Sequence, residues 1–321
     1  MIIITGAYGF IGSNLVAVLE NQINEELVLV DEFGTGDKWK NISGRRSHTM
    51  IRPREIFDFV ENNNDKISCV IHMGAISSTI AEDVDGLIEN NYRFSIKLIE
   101  LCDAYKIRIV YASSASVYGD GENGFIDADD VASISQLRPL NAYGWSKKLI
   151  DEECAKRQFK NIVSLRFFNV YGPNEYHKGE QVSVIYKWYT LLKSDQPLCL
   201  FRSYFPEYRD GYQKRDFIYV QDCIDVILWF MKNKDKEGVF NVGTGVARPF
   251  VDIIENLEYI LQKKAQCVYI DMPEQIQKHY QYYTRAELTK LRQVGYEGDM
   301  MSLEEGINTY ITSYLNKKYY R

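Results

Sequence analysis

Tyr143 and Lys147 lie four residues apart in the segment NAYGWSKK. Four residues make about one helical turn, so both side chains face the same way if this segment is a helix. A tyrosine hydroxyl, with an ordinary pKa of about 10, is a poor base at neutral pH. Because an ammonium group one turn away stabilises the phenolate, the pair predicts proton transfer at a reacting oxygen, with Tyr143 as the acid–base group.

Lys178 lies in the segment YGPNEYHKGE, which opens with Gly172-Pro173 and closes at Gly179. These residues predict a loop, where a lysine is ordinarily a solvated charge. The loop also follows a predicted strand, at the end where ligands bind in parallel α/β sheets. A reaction that oxidises a centre and reduces it from the opposite face needs an intermediate that turns over or a second acid–base group. Lys178 is therefore predicted to reach the same site as Tyr143, where it is a candidate for such a second group.

A glycine triplet, Gly6, Gly9 and Gly12 in TGAYGFIG, follows the apolar run IIIT and begins a helical segment. This spacing lets the backbone approach a dinucleotide pyrophosphate at the positive end of the helix. Asp31 ends the next predicted strand, so the context that the motif needs is present. The first part of the chain therefore predicts a dinucleotide-binding turn.

The choice between NAD and NADP depends on a few side chains beyond this turn. Asp31 can accept hydrogen bonds from a ribose 2′-hydroxyl, which favours NAD. Lys38 and Arg54 lie where a 2′-phosphate would be neutralised, which favours NADP. From these residues alone both cofactors stay open.

Strands and helices alternate through the first half of the chain. Predicted strands are IIIT, ELVLVD, SCVIHM, IRIVYAS and NIVSLRF, and predicted helices are IGSNLVAVLENQ, PREIFDFVENN, LIENNYRFSIKLIELCDAY and AYGWSKKLIDEECAKRQ. The alternation predicts βαβ units in a doubly wound parallel sheet, and the continuous apolar character of the strands predicts burial on both faces. Beyond about residue 172 the pattern becomes irregular, which predicts a smaller mixed α/β lobe toward the C-terminus.

The predicted domains interleave along the chain. Residues 1–172 and about 216–246 are expected to form a Rossmann-like dinucleotide-binding domain. Residues 173–215 and 247–321 are expected to form the substrate-binding lobe. The segments RDFIYV and GVFNVG are predicted to return to the main sheet.

Composition excludes several classes of function. The 321 residues carry a net charge of −6 with scattered basic residues, so nucleic acid is not a predicted partner. The apolar runs are far shorter than the roughly 20 residues of a membrane span, and from the strand-like opening MIIITG we expect no signal peptide. Six cysteines without a C-x-x-C pair predict neither disulfides nor a metal site. We expect a cytoplasmic enzyme with reduced thiols.

The spacing G-x-x-G-x-x-G in TGAYGFIG resembles the fingerprint of the extended short-chain dehydrogenase/reductase superfamily, and within it the NAD-dependent epimerase/dehydratase family. The segment YASSASVYG follows a predicted strand. In the superfamily pattern the serine before alanine, here Ser114, contacts the reacting oxygen, and the lysine, here Lys147, also holds the nicotinamide ribose. The resemblance therefore implies that Ser114, Tyr143 and Lys147 are catalytic.

Further segments are similar to the ADP-L-glycero-D-manno-heptose 6-epimerase family, and the likeness runs almost from end to end: HMGAISST, LRPLNAYGWSK, FFNVYGPNEYHKG, RDFIYVQDC, FNVGTG and YIDMPEQIQKHYQYYT. This resemblance implies inversion of C6 of the heptose in ADP-D-glycero-D-manno-heptose, by transient oxidation and re-reduction with tightly held NADP. It implies Tyr143 and Lys178 as the two bases. It also implies a product used in the lipopolysaccharide inner core, and a homo-oligomer, specifically a pentamer.

The same resemblance implies which residues contact the two ligands. Besides the glycines, Asp31, Lys38 and Arg54, the implied cofactor contacts are Phe10, Ile11, Glu32, Met73, Gly74, Ala75, Ile76, Ser77, Asn90, Lys147, Val170 and Lys178. The implied substrate contacts are Ser114, Asn169, Glu180, Lys187, Phe201, Arg202, Ser203, Arg215 and Tyr280. A physical argument also supports Arg215 as a substrate contact, because a planar guanidinium pairs well with diphosphate oxygens.

Some positions differ from the family pattern. Glu180 and Gln181 follow HKG, where many relatives have a small residue and then methionine, and Lys187 stands where relatives can carry histidine. A glutamate beside a diphosphate is electrostatically unexpected.

Two other functions stay open. One is another nucleotide-sugar enzyme of the superfamily, such as a 4-epimerase, a 4,6-dehydratase or a reductase. The segment SSASVYG lacks the Thr-Asp-Glu cluster that dehydratases need, and a hexose 4-epimerase has no evident need for Lys178. The other is a non-catalytic NAD(P)-sensing protein, a class that typically loses the Tyr or Lys that this chain keeps.

Overall fold

Strands and helices alternate in the computed structural model, which describes residues 1–277 and 280–321. The strands are β1 (Ile2–Thr5), β2 (Leu27–Val30), β3 (Thr49–Ile51), β4 (Cys69–His72), β5 (Arg108–Ser114), β6 (Ile162–Phe167), β7 (Asn169–Tyr171), β8 (Leu198–Phe201), β9 (Lys214–Tyr219), β10 (Gly238–Val242), β11 (Ala247–Pro249) and β12 (Cys267–Ile270).

The α-helices are α1 (Phe10–Gln22), α2 (Ile56–Asn63), α3 (Val84–Leu87), α4 (Phe94–Ala104), α5 (Val131–Ser135), α6 (Ala142–Arg157), α7 (Val184–Lys193), α8 (Val220–Lys232), α9 (Phe250–Leu261), α10 (Glu274–Gln277), α11 (Thr289–Gln293) and α12 (Leu303–Tyr310). A π-helical segment, Ile88–Arg93, joins α3 to α4 in one continuous helix. None of the helices in the two described ranges is both long enough and apolar enough to cross a membrane.

Seven of the described strands form a parallel sheet in the order β10-β6-β5-β4-β1-β2-β3. The chain runs outward from β1 to β3 and then returns to place β4 beside β1, so the strand order reverses between β1 and β4. This arrangement confirms the predicted doubly wound fold. The short edge strand β3 was not predicted, because its sequence TMI has exposed residues and no continuous apolar run.

Alternate residues of β1 enter opposite layers of the core. Ile2 and Ile4 pack with the apolar faces of α1 and α8, whereas Ile3 packs with residues of α2 and α4. All the residues of β1, β2 and β4 are buried. The predicted burial of these strands on both faces is therefore confirmed, and the sheet is a rigid support for the segments at its carboxyl edge.

The remaining described strands form two small sheets, β11-β9-β7 and β12-β8. GVFNVG supplies β10 and returns to the main sheet as predicted, beside β6. The prediction for RDFIYV was wrong, since it forms β9, which pairs with β7 and β11 outside the main sheet. The reason is that the edge of β6 is already occupied by β10, while β7 leaves the line of β6 after Phe168.

Helix α6 is fixed to the main sheet by the buried carboxylate of Asp151. Arg166 of β6 donates from Nε to this carboxylate at 2.9 Å. The hydroxyls of Ser113 and Ser164 donate to it at 3.0 and 2.7 Å. Both charged side chains are almost fully excluded from solvent. Such an ion pair is costly to break, because removing one partner leaves the other buried and unpaired.

We expect Arg166→Leu to lower the free energy of unfolding by about 3 to 5 kcal/mol, because it leaves Asp151 charged and unpaired. Urea unfolding followed by circular dichroism measures this loss. Arg157→Leu is the matched control, since Arg157 on the same helix is exposed and forms surface ion pairs with Glu100 of α4 and, at 3.8 Å, with Glu153. An equal loss in both variants would contradict a special role for the buried pair.

Candidate active site

The glycine turn is closed so tightly that side chains cannot fit. A Cβ at Gly6, whose φ is +65°, would lie 2.7 Å from the backbone nitrogen of Gly74, and one at Gly12 would lie 2.1 Å from the carbonyl oxygen of Gly6. Gly9 caps α1 with extended backbone and, among the described residues, receives no side-chain cap. The first N–H groups of α1 are therefore free to bind an anion, and this cradle fits a dinucleotide pyrophosphate.

A cavity of about 540 Å³ opens at the carboxyl end of β2, and we call it the β2-end cavity. Its lining consists of Tyr8, Asp31, Glu32, Phe33, Gly34, Met50, Ile51, Arg52 and Glu55. The rings of Tyr8 and Phe33 stack at 4.2 Å between centroids. Asp31 and Glu32, two of the expected cofactor contacts, line this cavity. Among the described residues Arg52, which the sequence analysis did not name, also lines it, whereas Arg54 does not.

Asp31 is held by several partners at the rim of this cavity. Its Oδ2 accepts from the backbone N–H of Tyr8 at 2.9 Å, and its Oδ1 accepts from the ammonium of Lys38 at 2.6 Å. Lys38 also donates to the carbonyl oxygen of Glu32. The two side chains that the sequence assigned to opposite cofactors therefore form an ion pair with each other.

The segment after β4 is fixed by buried polar groups. Thr5 Oγ1 accepts from the backbone N–H of Gly74 at 3.0 Å and contacts His72 Nδ1 at 2.6 Å. Burial, and secondarily Lys147, lowers the pKa of His72 to about 3, so this ring is neutral. Of the predicted cofactor contacts, Met73, Gly74 and Ala75 are half-buried here, while Ile76 and Ser77 are exposed.

The asparagine that holds this segment is Asn91, the neighbour of the expected cofactor contact Asn90. Asn91 is fully buried, accepts from the N–H of Ile76 at 2.8 Å and donates to the carbonyl oxygen of Ile76 at 3.0 Å. It also donates to Ser146 Oγ at 3.1 Å and so ties the segment to α6. Asn90 is exposed. The π-helical segment turns the second asparagine inward, and π-bulges are frequent at functional sites.

Ser114, Tyr143 and Lys147 lie together at the carboxyl edge of β5. Helix α6 begins at Asn141, whose side chain accepts from the N–H of Gly144, and a Cβ at Gly144 would lie 2.6 Å from the carbonyl oxygen of Ser116. This close approach brings Tyr143 to the end of β5. Burial raises the pKa of Tyr143, and its hydrogen bond with Ser114 lowers it. The serine therefore favours the phenolate, as a group next to a catalytic tyrosine should.

Lys147 is buried beneath Tyr143 against the sheet. Its ammonium donates to the carbonyl oxygen of Ala112 at 2.7 Å and lies 4.7 Å from the ring centroid of Tyr111. Burial lowers the pKa of Lys147 to about 7, and the charge of Asp151 one turn away opposes that shift. Lys147 can therefore gain or lose a proton near neutral pH.

Lys178 lies on a segment that packs across the start of α1. Its ammonium stands 5.5 Å from the ring centroid of Phe10, beside the glycine cradle. Asn14 of α1 donates to the carbonyl oxygen of Pro173 at 2.8 Å, which fixes the segment to that helix. The predicted loop contains a 3₁₀ turn, Tyr176–Gln181, interrupted at Gly179. Burial lowers the pKa of the Lys178 ammonium, which brings the amine closer to the range of a usable base.

Glu175 is buried, and its charge opposes the lowering of the Lys178 pKa. It also anchors the other side of the segment that carries Lys178. It accepts from Ser183 Oγ at 2.7 Å and from the hydroxyl of Tyr310 at 3.1 Å. Burial raises the pKa of Glu175, and the hydrogen bonds from Ser183 lower it. Sequence reasoning missed Glu175, because an isolated glutamate in a loop carries no local signal of burial.

Among the predicted substrate contacts, Phe201, Arg215 and Tyr280 form one cluster. The Arg215 guanidinium is largely buried and lies 5.1 Å from the Tyr280 ring, which packs edge-on against Phe201 at 5.9 Å. Burial lowers the pKa of Arg215, and Tyr280 opposes that shift. A cation framed by aromatic rings can hold an anionic or planar group of a ligand.

The other predicted substrate contacts lie outside this cluster. Arg202 stands within 4 Å of the carboxylates of Asp210 and Asp271, and the N–H of Ser203 donates to Asp210. Asn169 is exposed on β7, and half-buried Val170 follows it. Glu180 and Lys187 pair with each other at 3.0 Å on the surface. Their charges cancel locally, so Glu180 presents less repulsion to a diphosphate than the sequence suggested.

A doubly wound sheet with a glycine cradle, and a buried serine–tyrosine–lysine group at the end of β5, define a dinucleotide-dependent enzyme of the short-chain dehydrogenase/reductase type. The model of the NAD dependent epimerase/dehydratase family matches residues 2–243. The chain belongs to this family, as the sequence analysis expected.

Individual proteins resemble the chain over nearly its whole length. An ADP-L-glycero-D-manno-heptose-6-epimerase of Nitratidesulfovibrio vulgaris is 44% identical over 98% of both chains. The crystal structure of the enzyme of that name from Helicobacter pylori superposes with a TM-score of 0.81 at 29% identity, over 97% of this chain and 95% of that one. A Bacillus cereus UDP-glucuronic acid 4-epimerase, in complex with UDP-glucuronic acid and NAD, superposes with a TM-score of 0.79 at 27% identity over 99% of both.

The lowered pKa of Lys147 predicts a stability that rises with pH. Between about pH 7 and the ordinary pKa of 10.5, the unfolded chain binds a proton at this lysine that the folded chain does not. The free energy of unfolding of the wild type, relative to Lys147→Met, should therefore increase across that window, by at most about 1.4 kcal/mol per pH unit. Urea unfolding at several pH values measures the difference.

Lys160→Met is the control for this experiment, since Lys160 is exposed on the surface. Its unfolding free energy should follow the wild type at every pH. A wild-type curve that runs parallel to that of Lys147→Met would show that Lys147 keeps an ordinary pKa in the folded chain.

Proposed function

We propose that this protein inverts C6 of the heptose in ADP-D-glycero-D-manno-heptose, giving ADP-L-glycero-D-manno-heptose. The observation that carries the proposal is a second, half-buried lysine, Lys178, which lies beside the glycine cradle in addition to the group of Ser114, Tyr143 and Lys147. The relative that is 44% identical bears the name of this activity. A simple reductase or 4-epimerase has no evident use for the extra amine.

Different residues carry out the different steps of such a reaction. C6 is bonded to C5, C7 and a hydroxyl, so its oxidation removes the C6 hydrogen as hydride and the hydroxyl hydrogen as a proton, and gives a ketone. When a nicotinamide dinucleotide is bound, it supplies the hydride acceptor and donor. Tyr143 or Lys178 takes the hydroxyl proton, and the other group returns a proton to the oxygen after hydride has come back to the opposite face. Ser114 holds the oxygen, and Lys147 supports the phenolate.

Rotation of the substrate makes both faces accessible. C6 lies outside the sugar ring, so turning about the C5–C6 bond presents the other face of the ketone without release of the nucleotide. The cluster of Arg215, Tyr280 and Phe201 can hold the rest of the substrate still while the side chain turns. Two bases at different positions then serve the two orientations.

We expect the purified protein to convert ADP-D-glycero-D-manno-heptose to a mixture of C6 epimers without added cofactor, because the hydride is returned in each cycle. Anion-exchange chromatography or NMR of C6 follows the reaction. Tyr143→Phe and Lys178→Met should each lower kcat by at least about 100-fold, the usual contribution of a positioned acid–base group. Both should keep their bound nucleotide.

Lys193→Met is the control for the lysine variant, because Lys193 is exposed at the end of α7. Its kcat should equal that of the wild type. Full activity in Lys178→Met would show that Lys178 is an ordinary surface charge without a catalytic role. Absence of conversion by the wild type, even with NADP and NAD supplied, would mean a different nucleotide sugar.

We further propose NADP as the resident cofactor. Lys38 cancels the charge of Asp31, and Arg52 adds a cation to the lining of the β2-end cavity, which suits a 2′-phosphate. The alternative, NAD, is favoured by the NAD complex of the Bacillus cereus enzyme. Mass spectrometry of the nucleotide released on denaturation distinguishes them.

We expect Arg52→Ser to weaken NADP binding by about tenfold or more, because a hydrogen bond to a charged group contributes about 1.5 to 3 kcal/mol. NAD binding should change little. Arg54→Ser is the matched control, since Arg54 is exposed two residues along the chain and outside the cavity lining that the structure describes. Fluorescence titration of the nucleotide-free protein measures both affinities. Equal affinities of Arg52→Ser and wild type for NADP would remove Arg52 from the cofactor site.

A further inference from the structure

We infer that residues 319–321, which we call the strap, position Lys178 for the reaction by fixing the backbone that precedes it. This inference rests on the proposed function, because it assumes that Lys178 is one of the two bases. The strap makes no contact with a ligand in this role. It acts through Asn174 and Tyr176, which lie four and two residues before Lys178.

Asn174 and Arg321 are joined by a closed pair of hydrogen bonds. The backbone N–H of Arg321 donates to Asn174 Oδ1 at 2.8 Å, and Asn174 Nδ2 donates to the carbonyl oxygen of Arg321 at 3.3 Å. The side-chain amide thus pairs with the strap as a neighbouring strand would. Asn174 is fully buried and has a left-handed backbone with a φ of +71°, so its conformation is set by its surroundings.

Tyr176 provides a second attachment. Its hydroxyl donates to the carbonyl oxygen of Tyr319 at 3.2 Å, and its ring packs edge-on against Tyr320 at 5.1 Å. The N–H of Lys178 in turn donates to the carbonyl oxygen of Glu175 at 3.0 Å, so the turn that carries the amine starts between the two attached residues. The strap therefore fixes the residues from which the Lys178 turn is built.

Asn174 and Arg321, which bind each other, are also bonded to the two helices α1 and α8. Asn174 also donates to Ser13 Oγ of α1 at 2.9 Å, and the Arg321 guanidinium bonds to Gln221 at the start of α8. Glu175 fixes the same segment toward Tyr310 of α12. Without the strap, Asn174 keeps its bond to Ser13 but loses its pair with Arg321, and Tyr176 loses its bond to Tyr319, so the backbone before Lys178 is held by fewer contacts.

The strap contributes more to the position of Lys178 than to the stability of the fold. Its hydrogen bonds to Asn174 and Tyr176 use backbone atoms, its ring contact with Tyr176 comes from half-buried Tyr320, and the Tyr319 side chain is 60% exposed. Little apolar surface is lost from the core when it is removed, in contrast with a buried leucine or phenylalanine. A misplacement of about 1 Å at a catalytic group, however, costs about 100-fold in rate.

The test compares the wild type with a chain that ends at Lys318 and with Asn174→Gly. Glycine keeps the left-handed conformation without strain, and it removes the side-chain pair with Arg321 together with the bond to Ser13. We expect kcat for ADP-D-glycero-D-manno-heptose to fall by about 10- to 100-fold in both variants, with KM changed less than about threefold. The melting temperature and the bound nucleotide should stay close to those of the wild type.

Hydrogen exchange read by mass spectrometry gives a measure that does not depend on the reaction. Exchange in residues 172–183 should become faster in both variants, while exchange in β1, β4 and β5 stays the same. Tyr319→Ala is the control, because it removes an exposed side chain and keeps the carbonyl oxygen that Tyr176 binds. Its kcat and its exchange should match the wild type.

Three results would overturn the inference. The first is a wild-type kcat, or unchanged hydrogen exchange, in the shortened chain. The second is a parallel loss of kcat, melting temperature and bound nucleotide in that chain, and the third is a loss of kcat in Tyr319→Ala equal to that of the shortened chain. A wild type that does not act on the heptose substrate defeats the proposed function instead. In that case the exchange experiment still decides whether the strap orders the Lys178 segment.

Discussion

The buried carboxylate of Asp151 is the group on which the catalytic side of this structure depends. It lies one helical turn after Lys147 and two after Tyr143, and it receives Ser113 of β5 together with Ser164 and Arg166 of β6. Helix α6 is thereby fixed to the carboxyl halves of both strands. The same negative charge limits how far burial lowers the pKa of Lys147. One side chain thus sets the position of the helix and influences the protonation of its lysine.

The two expected bases are supported in different ways. Tyr143 belongs to a long helix packed on a seven-stranded sheet, so its position follows from the core. Lys178 belongs to a short segment that lies between α1 and the smaller lobe and is held by polar side chains at Asn174 and Glu175. Polar attachments of this kind give position without a large apolar core. The stronger support therefore lies under Tyr143, and the more adjustable support lies under Lys178, the group proposed as the second base.

Much of the fold followed from local sequence, and the misses have physical causes. The glycine turn, the central strands and the Tyr143 helix each have a pattern that decides their structure alone. Asn91 holds the segment after β4 and Arg52 lines the β2-end cavity because of the way a π turn and a 3₁₀ turn face. The sequence does not single out these two residues, since Asn90 and Arg54 beside them are of the same types. The placement of β9 depends on which strand occupies the edge of β6, a competition that no single segment encodes. The expected homo-oligomer rests on resemblance and stays a prediction.

Ser13, Asn174 and Arg321 meet at one place, although the first pair is 161 positions apart and the second 147. Contacts this distant in sequence close late in folding, because the intervening chain must first be ordered. During synthesis the ribosome delivers the glycine turn and the Tyr143 helix long before the strap, and N-terminal parts of a chain generally fold first. A nascent chain can therefore assemble the cofactor cradle well before it can fix Lys178, so the order of translation is also the order in which the site becomes complete.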